Sequence, residues 1–77
     1  MGKFKIVRVS EASFLGDDDN EVHGKYIYVV PVDGAGSSRR IFLTSDRLLN
    51  MEYVPKAFDE VYVFENSMGR VVDIIKV

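Results

Sequence analysis

The stretch from Lys25 to Thr44 constrains the fold more than any other part of the chain. It reads K-Y-I-Y-V-V-P-V-D, then G-A-G-S-S, then R-R-I-F-L-T. Two runs rich in β-branched and aromatic residues flank a Gly/Ser turn, which is the signature of a β-hairpin. In the first run Tyr26, Tyr28, Val30 and Val32 share one face, and Ile27 and Val29 share the other. In the second, Ile41 and Leu43 oppose Arg40, Phe42 and Thr44. Apolar residues on both faces are expected where a sheet curls onto itself. Pro31 has no N–H and therefore belongs at an edge or a bulge. Asp33 to Ser38 forms the turn, with two glycines able to take positive φ.

The remaining strand candidates must pair with this hairpin or pack over it. Lys3 to Ser10 alternates, but Phe4 and Ile6 fall on one face while Val7 and Val9 fall on the other. A bulge between Ile6 and Val7 would turn both pairs inward, as in a first strand shared by two halves of a barrel. The simpler alternative is a strand buried on both sides. Ser10 to His23 is expected to be a polar connection, with Phe14 and Leu15 tucked under the barrel or extending the first strand. Its acidic tip, Asp17 to Asn20, should be exposed. The second strand starts after Gly24.

T-S-D-R-L-L-N-M at 44–51 predicts a short helix near Ser45 to Asn50. Thr44 or Ser45 can cap it, and Asp46 suits its positive end. Leu48, Leu49 and Met51 would plug one end of the barrel, and Pro55 requires the helix to have ended. Asp59 to Glu65 is a fourth strand, and Asn66 to Gly69 is a tight turn with Gly69 left-handed. Val71 to Val77 is a fifth.

Five strands with a helix between the third and fourth predict an all-β domain. Its form would be a small five-stranded OB-like barrel, with residues 1–77 as one domain. An SH3-like barrel would place its helical turn nearer the end of the chain. A chain of 77 residues buries only about 60% of its unfolded surface. With no cysteine it has no disulfide to compensate. Open strand edges and this thin margin together predict a homodimer. The lack of cysteine and of a leader-like apolar run near Met1 predicts a cytoplasmic protein. No apolar run approaches the roughly 18 residues of a membrane span.

The residues offer little for catalysis. His23 is the only histidine, beside a glycine, and reads as an exposed or capping residue. Asp59 and Glu60 are neighbours on a strand and point to opposite faces. No enzymatic activity and no cofactor is expected. Asp17, Asp19 and Glu21 lack the glycine and distal glutamate of a calcium loop, so no metal is expected.

The aromatic residues are more informative. If Ile27, Val29, Ile41, Leu43, Val61 and Val63 point inward, then Tyr26, Tyr28, Phe42, Tyr62 and Phe64 point outward. Rings on a barrel surface flanked by arginines stack the bases of single strands. The competing reading places these rings in the core and the valines outside. Under the first reading Tyr26, Tyr28 and Phe42 stack bases, while Lys5, Lys25, Arg39 and Arg40 meet phosphates. The net charge of −2 argues against a strongly basic nucleic-acid binder but permits a local basic patch.

G-K-Y at 24–26, leading into the second strand, and the closing hairpin V-Y-V-F-E-N-S-M-G-R-V-V-D-I-I-K-V resemble the small single-stranded-DNA-binding proteins of filamentous phages. Those are compact all-β barrels that dimerise and coat the genome. The resemblance implies a phage or mobile-element origin and a DNA-contacting role for Tyr26, while the acidic balance of this chain departs from it. The alternative function is a protein-interaction or structural module with no nucleic-acid role.

Overall fold

The computed structural model describes residues 2–33 and 36–77. Five strands and one helix follow in the order β1 (Gly2–Leu15), β2 (Glu21–Pro31), β3 (Arg39–Thr44), α1 (Ser45–Asn50), β4 (Glu60–Glu65) and β5 (Val71–Lys76). All pairings are antiparallel, in the sheet order β3-β2-β1-β4-β5. The domain is therefore all-β, with its helix between the third and fourth strands as the sequence predicts. Among the described residues no ladder joins β3 to β5, so the expected barrel has an open seam between those two strands.

β1 organises the sheet because it belongs to both halves. Its first residues pair with β4, Lys3 opposite Tyr62 and Phe4 opposite Val61. Nearly its whole length pairs with β2, from Phe4 opposite Pro31 to Leu15 opposite Glu21. The register shifts between Ile6 and Arg8, leaving Val7 unpaired. This is the bulge that the broken alternation predicts, and it lets Phe4, Ile6 and Val9 all face the core. Val7 itself does not turn in; it is 42% exposed. A bulged strand has one residue too many for its partner, and here Val7 is that residue.

The connection expected from Ser10 to His23 is mostly strand. Only residues 16–20 turn, closed by hydrogen bonds from the Gly16 N–H to the Asn20 carbonyl (2.9 Å) and from the Asp19 N–H to the Gly16 carbonyl (3.1 Å). Asp18 accepts from the Asn20 backbone N–H and from its side-chain amide. These bonds favour the ionised carboxylate and hold its pKa below the ordinary value. At the other hairpin Gly36 takes positive φ, while Gly34 and Ala35 of the expected turn lie outside the described residues.

The core is aliphatic. Ile6, Ile27, Val29, Ile41, Leu43, Val61, Val63 and Ile74 are buried, and they are the inward-alternating residues of all five strands. Thr44 caps α1, its hydroxyl accepting from the Arg47 N–H at 3.3 Å. Leu48 and Met51 pack against the core, but Leu49 is 84% exposed and takes no part in the expected plug. A six-residue helix has fewer than two turns, so its inward face has no room for both leucines.

The α1–β4 connection is tied down at two points. Phe58 adopts φ of 73°, and its N–H donates to the Ile6 carbonyl, while the Ile6 N–H donates to Asp59. Tyr53 donates its hydroxyl proton to the Asp59 carboxylate at 2.6 Å. Burial, then the bond to Asp59, pushes the Tyr53 pKa up to about 12. The unfolded tyrosine ionises near its ordinary value of about 10. The fold keeps Tyr53 protonated, so its contribution is complete below pH ~10 and disappears as pH rises toward about 12. Urea unfolding across that range should show wild type losing stability more steeply than Tyr53→Phe, which has no proton to lose. Parallel curves for the two proteins would count against this coupling.

Candidate nucleic-acid interface

The buried alternation fixes where the aromatic residues stand. On β2 the inward residues are Ile27 and Val29, and on β3 they are Ile41 and Leu43. Tyr26, Tyr28 and Phe42 therefore lie on the outer face, partly buried against one another rather than in the core. In register, Phe42 stands beside Tyr26 and then Ser10, and Arg40 beside Tyr28 and then Arg8.

The rings form one continuous row. Phe14 meets Phe42 at 5.1 Å between centroids, Phe42 meets Tyr26 at 5.2 Å, and Tyr26 meets Tyr28 at 6.4 Å, all tilted. The Arg40 guanidinium lies over the Tyr26 ring at 4.6 Å and that of Arg8 over Tyr28 at 5.5 Å. Each ring quadrupole attracts its cation, so the arginines are positioned on the row rather than free in solvent. The Phe42 ring reaches over Gly24, the β2 residue two positions before its register partner Tyr26. A Cβ there would come within 2.7 Å of the ring.

Electrostatics favour an anion on this face despite the net charge. The acidic residues of the long hairpin, Glu11 and Glu21, have the opposite strand parity from Arg8, Ser10, Ala12 and Phe14. Asp17, Asp18 and Asp19 are confined to the turn beyond Phe14. Lys5 extends the positive end of the face, opposite Val30 on β2 and Glu60 on β4.

The other expected phosphate contacts stand elsewhere. Lys25 has the parity of the inward residues, opposite Glu11 and Leu43, and lines a groove beside α1 with His23 and Leu48. Arg39 begins β3 at the rim of the sheet and is ion-paired with Glu65 at the end of β4. Thus Lys5, Arg40, Tyr26, Tyr28 and Phe42 share one surface, while Lys25 and Arg39 do not belong to it. Arg8 and Phe14 do, although the residue pattern did not single them out. The signal was present in the two-residue spacing of Arg8, Ser10, Ala12 and Phe14. It is legible only once β1 is known to run through this segment.

His23 is exposed and 3.6 Å from the exposed Glu21 carboxylate. Asp59, just before β4, and Glu60, its first residue, part company, Asp59 to Tyr53 and Glu60 to Lys3 at 3.2 Å. Among the described residues no three carboxylates or histidines converge as a metal site, and no helix is long and apolar enough to cross a membrane. Compared with known proteins, the chain matches no family model, no curated protein and no solved structure.

Proposed function

We propose that this domain binds single-stranded nucleic acid on the outer face of β1, β2 and β3, as a binding module rather than an enzyme. One observation carries the reading: a continuous row of four rings on the face opposite the core, with two arginines laid on the rings. Every base has a π-face, so such a row stacks successive bases without reading sequence. Arg8 and Arg40, held beside the rings, would meet the phosphates of a stacked strand, and Lys5 would extend that line. In five-stranded OB-type sheets the face of strands two and three binds oligonucleotides, which agrees with this placement. The expected homodimer belongs to the same reading, since β3 and β5 present open edges and β5 carries the exposed Val72 and Ile75. So do a cytoplasmic location and a phage or mobile-element role.

Titration of labelled oligo(dT) tests the reading. Arg8, Arg40 and Lys5 would neutralise two or three phosphates. The logarithm of affinity should then fall against the logarithm of salt with a slope of about −1.4 to −2. Duplex DNA should bind more weakly, because its paired bases cannot reach the rings. Folded protein that leaves oligo(dT) free at low salt would end the nucleic-acid reading in favour of a protein-interaction module.

A further inference from the structure

Two arginines that the proposed interface does not use, Arg47 and Arg70, lie at the open seam between β3 and β5. The seam holds a cleft of about 420 Å³ lined by Arg39, Arg40, Arg47 and Arg70 together with Phe42 and Val71. Four arginines thus line one opening with no acidic residue among its lining, and Glu65 beside it is ion-paired with Arg39.

The four are held differently. Arg47 donates from α1 to the carbonyls of Val71 (3.0 Å) and Val72 (2.6 Å), standing in for part of the strand pairing that the seam lacks. These are neutral partners, and among the described residues Arg47 makes no ion pair. Arg40 lies over Tyr26. Arg70 leaves the β4–β5 turn, whose shape is set by Asn66. The Asn66 side-chain oxygen accepts from the N–H groups of Met68 (2.9 Å) and Arg70 (3.0 Å), with Gly69 at positive φ. An opening lined by four arginines, of which Glu65 pairs only Arg39, concentrates anions where low-dielectric protein walls it.

We infer that this seam is a phosphate site. In the nucleic-acid reading, on which this part of the inference rests, it receives the phosphodiester backbone of a strand leaving the aromatic row. Arg40 and Phe42 belong to both surfaces, so the seam opens off the side of the row at Phe42. Past Phe42 the row ends at Phe14, beyond which the turn carries Asp17, Asp18 and Asp19, which repel a phosphate chain running from Tyr28. A bound strand therefore exits over β3 toward the β4–β5 turn.

The test uses Arg70→Ala and Arg70→Glu, because this exposed turn residue is bonded into the fold through backbone groups that both variants retain, its N–H donating to the Asn66 side-chain oxygen and its carbonyl accepting from the Asn66 N–H. Two probes are needed: oligo(dT) of about twelve nucleotides, within the range one such domain covers, and inorganic pyrophosphate. Binding of each is followed by amide chemical shifts at residues 39–42 and 69–71 and, for the oligonucleotide, by its salt slope. Wild type should show pyrophosphate shifts at both segments that Arg70→Ala weakens and Arg70→Glu abolishes. The oligonucleotide slope should flatten by about 0.7 in Arg70→Ala, one phosphate on a single strand. If oligo(dT) binds in a Tyr26-dependent way while both Arg70 variants match wild type, the seam site is overturned and the interface stands. If pyrophosphate shifts the seam amides but oligo(dT) does not bind, the phosphate site stands with free phosphate as its ligand, and the nucleic-acid reading falls. If neither probe binds, both are overturned.

Discussion

Gly24→Ala is expected to lower the melting temperature by at least ~12 °C, more than most other additions of a single methyl group to this sheet. A Cβ at position 24 would sit 2.2 Å from the Leu43 carbonyl oxygen and 2.7 and 2.9 Å from atoms of the Phe42 ring. The ring could swing away, but the carbonyl belongs to the backbone of β3. The β2–β3 ladder would have to part where Gly24 pairs with Thr44. Ordinary overpacking costs about 1–3 kcal/mol, and displacing a paired strand belongs at or above that limit. A domain of this length has roughly 4–12 kcal/mol of total stability, and each kcal/mol moves its melting point by about 4–8 °C. Two controls isolate the cause. Gly16→Ala meets only contacts of 3.3 Å or more, two of them with side chains, and should be mild. Adding Phe42→Ala to Gly24→Ala relieves the ring clash but not the carbonyl clash, so it should not restore stability. Thermal melting of Gly24→Ala within a few degrees of wild type would contradict this account of the Gly24–Phe42 contact.

Gly24 also shows where the sequence stops being legible. All five strands, the helix and the left-handed Gly69 can be read from the residues, which also narrow the cap to Thr44 or Ser45 and the first strand to a bulge after Ile6 or burial on both sides. Each is determined by neighbours a few positions away: alternation, a capping hydroxyl, a glycine in a turn. The length of β1 is not of that kind. Ser10, Glu11, Ala12 and Ser13 have little intrinsic preference for a strand, and they adopt one because Tyr26 to His23 lie alongside. Gly24 looks like a strand boundary for the same local reason, whereas its missing Cβ makes room for a ring on the neighbouring strand. Two residues of the interface follow from this pairing. Without it Arg8 is one of several basic residues near the start of the chain and Phe14 is a loop aromatic. With it, both join Tyr26, Tyr28, Arg40 and Phe42 on one surface. Lys25 illustrates the converse. It is adjacent to Tyr26 in sequence, but strand alternation sends it to the other side of the sheet.

Tyr26→Ala is expected to weaken oligo(dT) binding by roughly 5- to 150-fold, corresponding to the loss of about 1–3 kcal/mol of base stacking. Tyr26 occupies the middle of the row, between Phe42 and Tyr28, and its ring carries the Arg40 guanidinium. Its removal takes away a stacking surface and also releases Arg40 from a fixed position. Tyr26→Phe retains the ring and the cation contact and should bind almost as wild type does. The variant pair Arg8→Ala with Arg40→Ala acts through another term. Each arginine neutralises one phosphate, so the salt slope should flatten by about 1.4 in total, whereas Tyr26→Ala should leave it nearly unchanged. Stability separates the interface from the core. A fully buried aromatic truncated to alanine costs about 3–5 kcal/mol. Tyr26 is only partly buried and its inward neighbour Ile27 holds the core position, so its melting point should fall by much less. Ile27→Ala should show the reverse, a large loss of stability that precedes any effect on binding. If Tyr26→Ala melted as low as Ile27→Ala, the row would be an outer layer of the core. If it melted near wild type and bound oligo(dT) normally, the row would be a surface without this function.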